Sequence, residues 1–406
     1  MALTFKHHQL PNGLDIVAEI NPDSHSFAAG LFVCTGSRDE DPALNGVSHF
    51  LEHMMFKGSE KYTWEDMNRI FDEMGARYNA FTSQEMTAYY ANVLPEFTER
   101  SLEHLTHLLR PALRTVDFDT EKKVILEEIA MYLDEPGHVL YEKLMEEHFG
   151  SHPLAQSVLG PAASIQALKR EQMEQYFNAR YGPGNMVLSV TGQMDFSYVV
   201  SLAERFMGSW SHVDASRKHS LPSPRSHRID LKDAKINRMY TMAMTPGPSA
   251  QDERRFAARV LGDVIGDHDG SRLYWALVDT AIAEDADFGF YPHDGCGSFY
   301  LSLTSDPDRT EQALDIALKE LNKAKDDLND DEVARAKNKI ASSIVLSGEV
   351  PIGRMRSIGS QWMYNKEYRS LEQDMATLQS VTTQSLRQLM QDFSFDPMTI
   401  VTLGPG

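Results

Sequence analysis

Apolar residues recur along the chain in two patterns, short runs that read as strands and longer stretches with helical spacing. The strand-like runs of the first half are "LDIVAEI", "AAGLFVCTG", "TAYYANVL" and "NMVLSVTGQMD"; those of the second are "RMYTMAMTPGP", "SFYLSLTSD" and "MTIVTLGPG". Each half opens on strand-like material, passes through helices, returns to a strand and closes with a helix leading to a final apolar strand. This order predicts a duplicated α+β unit: two homologous α+β domains, each with helices covering a mostly antiparallel or mixed sheet. Between the halves, "WSHVDASRKHSLPSPRSH" is rich in Ser, Pro and basic residues and has no apolar periodicity, so it reads as a linker. The expected division is residues 1–210, a linker over 211–227, and residues 228–406.

Chemistry concentrates in "GVSHFLEHMMFKG", residues 46–58. No helix breaker intervenes from Val47 to Lys57, and Val47, Phe50, Leu51 and Met54 form a helical stripe. On that helix His49 and His53, four apart, share a face, and Glu52 lies beside it. Two neutral imidazoles and a further carboxylate leave one position open for water, which suits zinc, and a neighbouring Glu can accept the water's proton. The order H-x-x-E-H inverts the commoner H-E-x-x-H and is the inverzincin signature. The bland alternative is a pair of surface or core histidines with a solvated glutamate. Fixed spacing together with an acidic helix downstream favours the metal.

A third protein ligand is needed, and its best source is "DTEKKVILEEIAMYLDEP", residues 119–136. Asp119 or Thr120 is expected to cap this helix, with Pro136 just past its end. Glu127 stands four residues from Lys123, close to Thr120 and Asp134 on the wheel, which is a solvated face. Glu128 instead groups with Glu121, Val124, Ile125, Met131 and Tyr132. Two carboxylates on a largely apolar face are costly unless a positive charge sits against them. Glu128 is therefore the expected ligand and Glu121 a supporting carboxylate, free to bond a histidine, a lysine or water.

At 406 residues, 42% hydrophobic and 24% charged, the chain fits a soluble protein of two ordinary domains. No run of about 18 apolar residues occurs, and the start lacks an apolar core behind a basic segment, so neither membrane insertion nor secretion is expected and the cytoplasm is the expected location. A net charge of −20, from 39 basic and 59 acidic side chains, argues against nucleic acid and favours cationic or neutral ligands, basic peptides among them. Cys34 and Cys296 lie far apart, which fits a reducing compartment better than a disulfide framework.

With these residues in place, the chain resembles the pitrilysin-type zinc peptidases, the group that contains insulin-degrading enzyme and the mitochondrial processing peptidase. The resemblance rests on "LPNGLDIV", "GSRDEDPALNGVSHFLEHMMFKGSEKY", "GARYNAFTSQEMTAYYANV", "EKKVILEEIAMYLDEP", "HPLAQSVLG", "YFNARYGPGNMVLSVTGQMD" and "VTLGPG". It implies His49, His53 and Glu128 as ligands of one Zn2+ per chain, Glu52 as general base and Glu121 as the supporting carboxylate. It also implies that an extended peptide adds to the strand edge at Asn79, Ala80 and Phe81. The length fits the small members, in which two chains form a clamshell. One departure stands out. Active members carry an Arg and, seven residues later, a Tyr in the second half, where "GSRLYWALVDTAIAEDADFGF" aligns Val278 and Asp285, neither a donor for an oxyanion. Arg272, Tyr274 and Tyr291 are nearby in sequence. The resemblance thus implies either the zinc-bearing subunit of a heterodimer whose partner supplies the pair, or a homodimer using other donors.

Overall fold

The computed structural model describes residues 3–217, 220–267 and 269–406. Its strands are β1 (Thr4–Gln9), β2 (Asp15–Ile20), β3 (Phe27–Val33), β4 (Arg77–Thr82), β5 (Thr87–Val93), β6 (Met186–Gly192), β7 (Arg228–Lys232), β8 (Met239–Gly247), β9 (Asp285–His293), β10 (Cys296–Ser305) and β11 (Thr399–Gly404). The helices are α1 (Val47–Met55), α2 (Trp64–Glu73), α3 (Thr98–Leu108), α4 (Thr115–Leu133), α5 (Pro136–Phe149), α6 (Ala162–Ala167), α7 (Arg170–Arg180), α8 (Phe196–Met207), α9 (Arg255–Gly266), α10 (Thr310–Asp327), α11 (Asp330–Gly348), α12 (Pro351–Asn365), α13 (Leu371–Ser380) and α14 (Thr383–Asp392). Among the described residues none of these helices is long and apolar enough to cross a membrane.

Two mixed sheets organise the chain, as the element order predicts. The first runs β1-β2-β6-β3-β5-β4, antiparallel throughout except for the parallel β2–β6 pair. The second runs β7-β11-β8-β10-β9, with β7–β11 its parallel pair. β2, β3 and β6 are buried along almost their whole length, which is why they read as apolar runs instead of alternating ones.

Each sheet belongs to one compact unit, and neither unit is one continuous segment. The first takes the described residues of 1–130, 156–218 and 346–369; the second takes those of 131–155, 219–345 and 370–406. Relative to the halves expected from sequence, each unit thus contains one helix from the other half. In the first, α12 lies on β3 and β6 and sends Met355, Ile358 and Trp362 into clusters with Phe32, Tyr90, Val17 and Val187. In the second, α5 lies on β8 and β11 with Leu140, Leu144 and Met145 against Met244, Val401 and Leu403. Of the expected linker 211–227, residues 218 and 219 lie outside the described residues, and the rest carries no regular secondary structure.

Helix α4 begins at Thr115, upstream of the cap expected at Asp119 or Thr120. The extra turn is held by Phe118, which is buried and stacks on Phe50 of α1 with ring centroids 4.8 Å apart. Burial of this aromatic pair outweighs the capping propensity of Asp119 and Thr120. Val124 and Met131, placed by sequence on the apolar face, are exposed instead. The buried stripe is Phe118, Glu121, Ile125 and Ile129.

Candidate metal centre

Helix α1 starts where it does because of two residues upstream of the histidines. Gly46 caps it with φ of 96°, and a Cβ there would lie 2.5 Å from the Leu159 carbonyl oxygen, so only glycine fits. Glu40, buried, accepts from the backbone N–H of Gly46 at 2.7 Å, of Ser48 at 2.7 Å, and from the Asn45 side chain at 2.8 Å. It therefore satisfies donors that the first turn of a helix leaves unpaired and turns acceptor oxygens to the positive helix end. Burial pushes its carboxyl up to about 7 against these donors.

From this fixed start Val47, Phe50, Leu51 and Met54 turn into the core, as the stripe predicts, and His49, Glu52 and His53 are left on the opposite side. The Phe50–Phe118 stack ties α1 to α4, which brings Glu128 to the histidines. Its Oε1 is 3.9 Å from His49 Nε2 and its Oε2 is 3.6 Å from His53 Nε2. Within the described residues, His49, His53 and Glu128 form a set of potential metal-ligand atoms all within 4.8 Å of one another. Glu127 is exposed.

The fit to a cation can be judged from this donor set. Bonds of roughly 2.0–2.2 Å in tetrahedral geometry put ligand atoms about 3.4 Å apart, close to the separations at Glu128. His53 turns Nδ1 to Glu121 Oε1 at 2.9 Å, which fixes the tautomer and leaves the Nε2 lone pair facing Glu128. Burial, reinforced by the neighbouring His53, holds His49 down to about 4, so it is a neutral imidazole with a lone pair to give. For His53, burial disfavours the charged form, yet the bond to Glu121 and the charges of Glu128 and Glu52 carry it above its ordinary value. An imidazole bordered by this much negative charge suits a cation as neighbour. The residues present thus fit a divalent ion held by two nitrogens and a carboxylate.

Glu121 bonds two of the partners open to it from sequence: His53 through Oε1, and Lys57 through Oε2 with Nζ at 2.5 Å. Burial opposes ionisation, but these two bonds hold its carboxyl below the usual range. Glu52 is raised, chiefly by burial. Its Oε2 accepts from the Thr82 hydroxyl at 2.7 Å. Thr82 escaped the sequence reading, although period-two alternation through Tyr78, Ala80 and Thr82 puts it on the helix-covered face. Tyr78 confirms that side by stacking on Phe71 of α2 at 4.0 Å.

Strand β4 ends the sheet order, so one of its edges is unpaired among the described residues. Asn79, Ala80 and Phe81 lie on it, and the Ala80 N–H donates to its neighbour's Asn79 Oδ1 at 2.9 Å. Phe81 faces the other side of the sheet, packed near Met355 of α12.

The second unit has no counterpart of this centre among its described residues. Val278 ends a π-helical turn, Tyr274–Val278, and packs against the core of that unit; Asp285 opens β9 and is exposed. Arg272 is committed to Glu332, at 2.9 and 2.8 Å, and to Asp327 at 2.5 Å. Tyr274 packs edge-on to Trp275, and Tyr291 stacks on Tyr300.

Comparison with known proteins fits this picture. The family model described as insulinase (peptidase family M16) matches residues 15–162, and the one described as peptidase M16 inactive domain matches 167–340. An "uncharacterized zinc protease" of Streptomyces coelicolor is 30% identical over 415 residues, covering 99% of this chain and 90% of the relative. The mitochondrial-processing peptidase subunit beta of Caenorhabditis elegans is 29% identical over 398 residues, covering 94% of this chain and 85% of the relative. A protease from Helicobacter pylori shares the fold, with a TM-score of 0.93 at 19% identity and full coverage of both chains. The chain belongs to the insulinase, or pitrilysin-type, family of peptidases, family M16.

Proposed function

We propose that the chain is a zinc-dependent endopeptidase that cleaves extended peptides or unfolded polypeptide segments, acting in the cytoplasm as the zinc-bearing subunit of a heterodimer. The observation that carries this reading is the convergence of His49, His53 and Glu128, with Glu52 beside them and hydrogen-bonded to a residue of the open strand. His49, His53 and Glu128 would hold the ion. When bound, it supplies Lewis acidity toward a carbonyl oxygen and makes water a stronger acid.

The protein's own residues do the rest. Glu52, made more basic by burial, takes a proton from water and returns it to the leaving amide nitrogen. Thr82 orients that carboxylate through its hydroxyl. The edge around Asn79, Ala80 and Phe81 aligns a peptide by main-chain hydrogen bonds, which asks little of its sequence. Glu121 fixes the tautomer of His53. Two cysteines far apart in the sequence agree with a reducing compartment.

Val278 and Asp285, at the positions of the family's Arg and Tyr, favour a partner chain that brings those donors. They also support the second reading, a noncatalytic scaffold or assembly subunit of a peptidase complex. Zinc analysis together with cleavage of a mixed peptide library, by the chain alone and with homologous partner chains, separates the two. The peptidase reading expects stoichiometric zinc and cleavage that Glu52→Gln abolishes. Absence of zinc, or equal cleavage by the Glu52→Gln protein, sinks it; zinc without cleavage under any pairing leaves the scaffold.

A further inference from the structure

The proposed activity lays a peptide along β4, and any side-chain selectivity at that edge rests on the same reading. Side chains of an added strand alternate between the two faces of the sheet. One face carries Glu52 and the metal cluster. On the other, Phe81 and Tyr90 meet α12, and two arginines stand beside them.

Arg356, exposed on α12, holds its guanidinium carbon 5.6 Å from the ring centres of both Phe81 and Tyr90. Packing over aromatic faces steadies the group while leaving N–H donors free at its rim. Arg77 opens β4, is exposed, and by alternation shares the side of Asn79 and Phe81. Neither side chain has a hydrogen-bond or ion-pair partner among the described residues. Arg38, Arg272 and Arg354, by contrast, are each committed to a carboxylate. The ladder pairs Asn79 with Tyr90 and Arg77 with Asn92. Arg356 therefore stands near the level of Asn79 and Phe81, and Arg77 stands two positions beyond Asn79, about 7 Å along the strand.

We propose that this face of the β4 edge selects peptides with Asp or Glu at one or two alternate positions, read by Arg77 and Arg356 as specificity-determining residues. The positions lie three to five residues from the bond held beside Thr82, on the Arg77 side, counted along the register of β4. A guanidinium accepts a carboxylate in paired N–H···O bonds. The selection runs against the preference for basic peptides that net charge suggests, because local pairing and not the distant field decides at contact range.

The test uses the metal-loaded full chain carrying Glu52→Gln, so that bound peptides persist, and three otherwise identical extended peptides with Glu, Gln or Lys at the alternate positions. Fluorescence anisotropy at low salt is expected to rank Glu over Gln by about three- to tenfold, a gap that shrinks at high salt. Arg77→Gln with Arg356→Gln should erase the gap while the Gln peptide binds as before, which shows the edge still folded. Arg77→Glu with Arg356→Glu should move the preference to the Lys peptide. Equal binding of Glu and Gln peptides by the parent overturns the inference and leaves the edge-binding reading intact. A Glu preference that survives charge reversal overturns the assignment to these arginines. Failure of all three peptides to bind, both to the chain alone and with homologous partner chains added, overturns both readings.

Discussion

At the scale of single residues, the proposed centre is held in place by carboxylates outside its ligand set. Glu121 orients His53, and loss of such an outer partner typically costs 10- to 100-fold in metal affinity. Glu121→Ala is therefore expected to weaken zinc binding by about that factor, measured by competition with a chelator at fixed pH; unchanged affinity would show that His53 is held by its own helix alone. Glu40 gives a second test, through pH. Its folded carboxyl keeps a proton up to about pH 7, whereas the ordinary value, taken for the unfolded chain, is 4.5. Between those values the folded state binds more protons, so the stability contributed by this group falls as pH rises through the window and is flat above it, by up to about 3 kcal/mol. Urea unfolding of wild type and Glu40→Gln across pH 4.5–7 cancels the titrations common to both. The wild type should lose stability with rising pH relative to the variant, and parallel curves would reject the shift. That His49, Glu52 and His53 lie together on one side of α1 was legible because the i, i+3, i+4 spacing is local. That Glu128 reaches these histidines was legible because one helix face held two carboxylates. Thr82, Glu40 and Arg356 were not, since a threonine, a glutamate or an arginine has no spacing signature and acquires its role only from a neighbour brought in by the fold.

At the scale of elements, the start of α1 and the register of β4 set the geometry. Gly46→Ala puts a side chain into a left-handed conformation and against the Leu159 carbonyl, so a loss of about 2 kcal/mol or more is expected. Shifted by that strain, the first turn should also lower zinc occupancy, and thermal melting with and without chelator reads both effects. A variant that melts and binds zinc like wild type would mean that the loop yields at no cost. Sequence located α1 to within two residues because its apolar stripe continues to its end, but it started α4 too late. Capping residues are a local signal; Phe118 lies outside the capped stretch and gains its place by stacking on a ring 68 positions away.

At the scale of the whole molecule, duplication was legible in element order, while the exchange of helices was not. Nothing in "PIGRMRSIGSQWMYN" says which sheet it covers; the pairing of Arg354 with Glu19 joins positions 335 residues apart. Yet α12 completes the first unit. Met355, Ile358 and Trp362 are each nearly or fully buried on its sheet, which at about 1.5–3 kcal/mol per side chain amounts to roughly 5–9 kcal/mol. Loss of Arg354 would in addition leave Glu19, 2% exposed, as a buried charge whose guanidinium partner is gone. A whole domain is stable by only about 5–15 kcal/mol, so a fragment of residues 1–217 should fail to fold although it contains every proposed metal ligand. Expressed alone, it is expected to bind a hydrophobic dye and to unfold without a cooperative transition. Joined by a flexible linker to residues 346–369, it should recover a cooperative melt and bind zinc. A cooperative melt of the short fragment by itself would show that the first sheet does not need α12, and that its stability resides in α1, α3 and α4 on the other face.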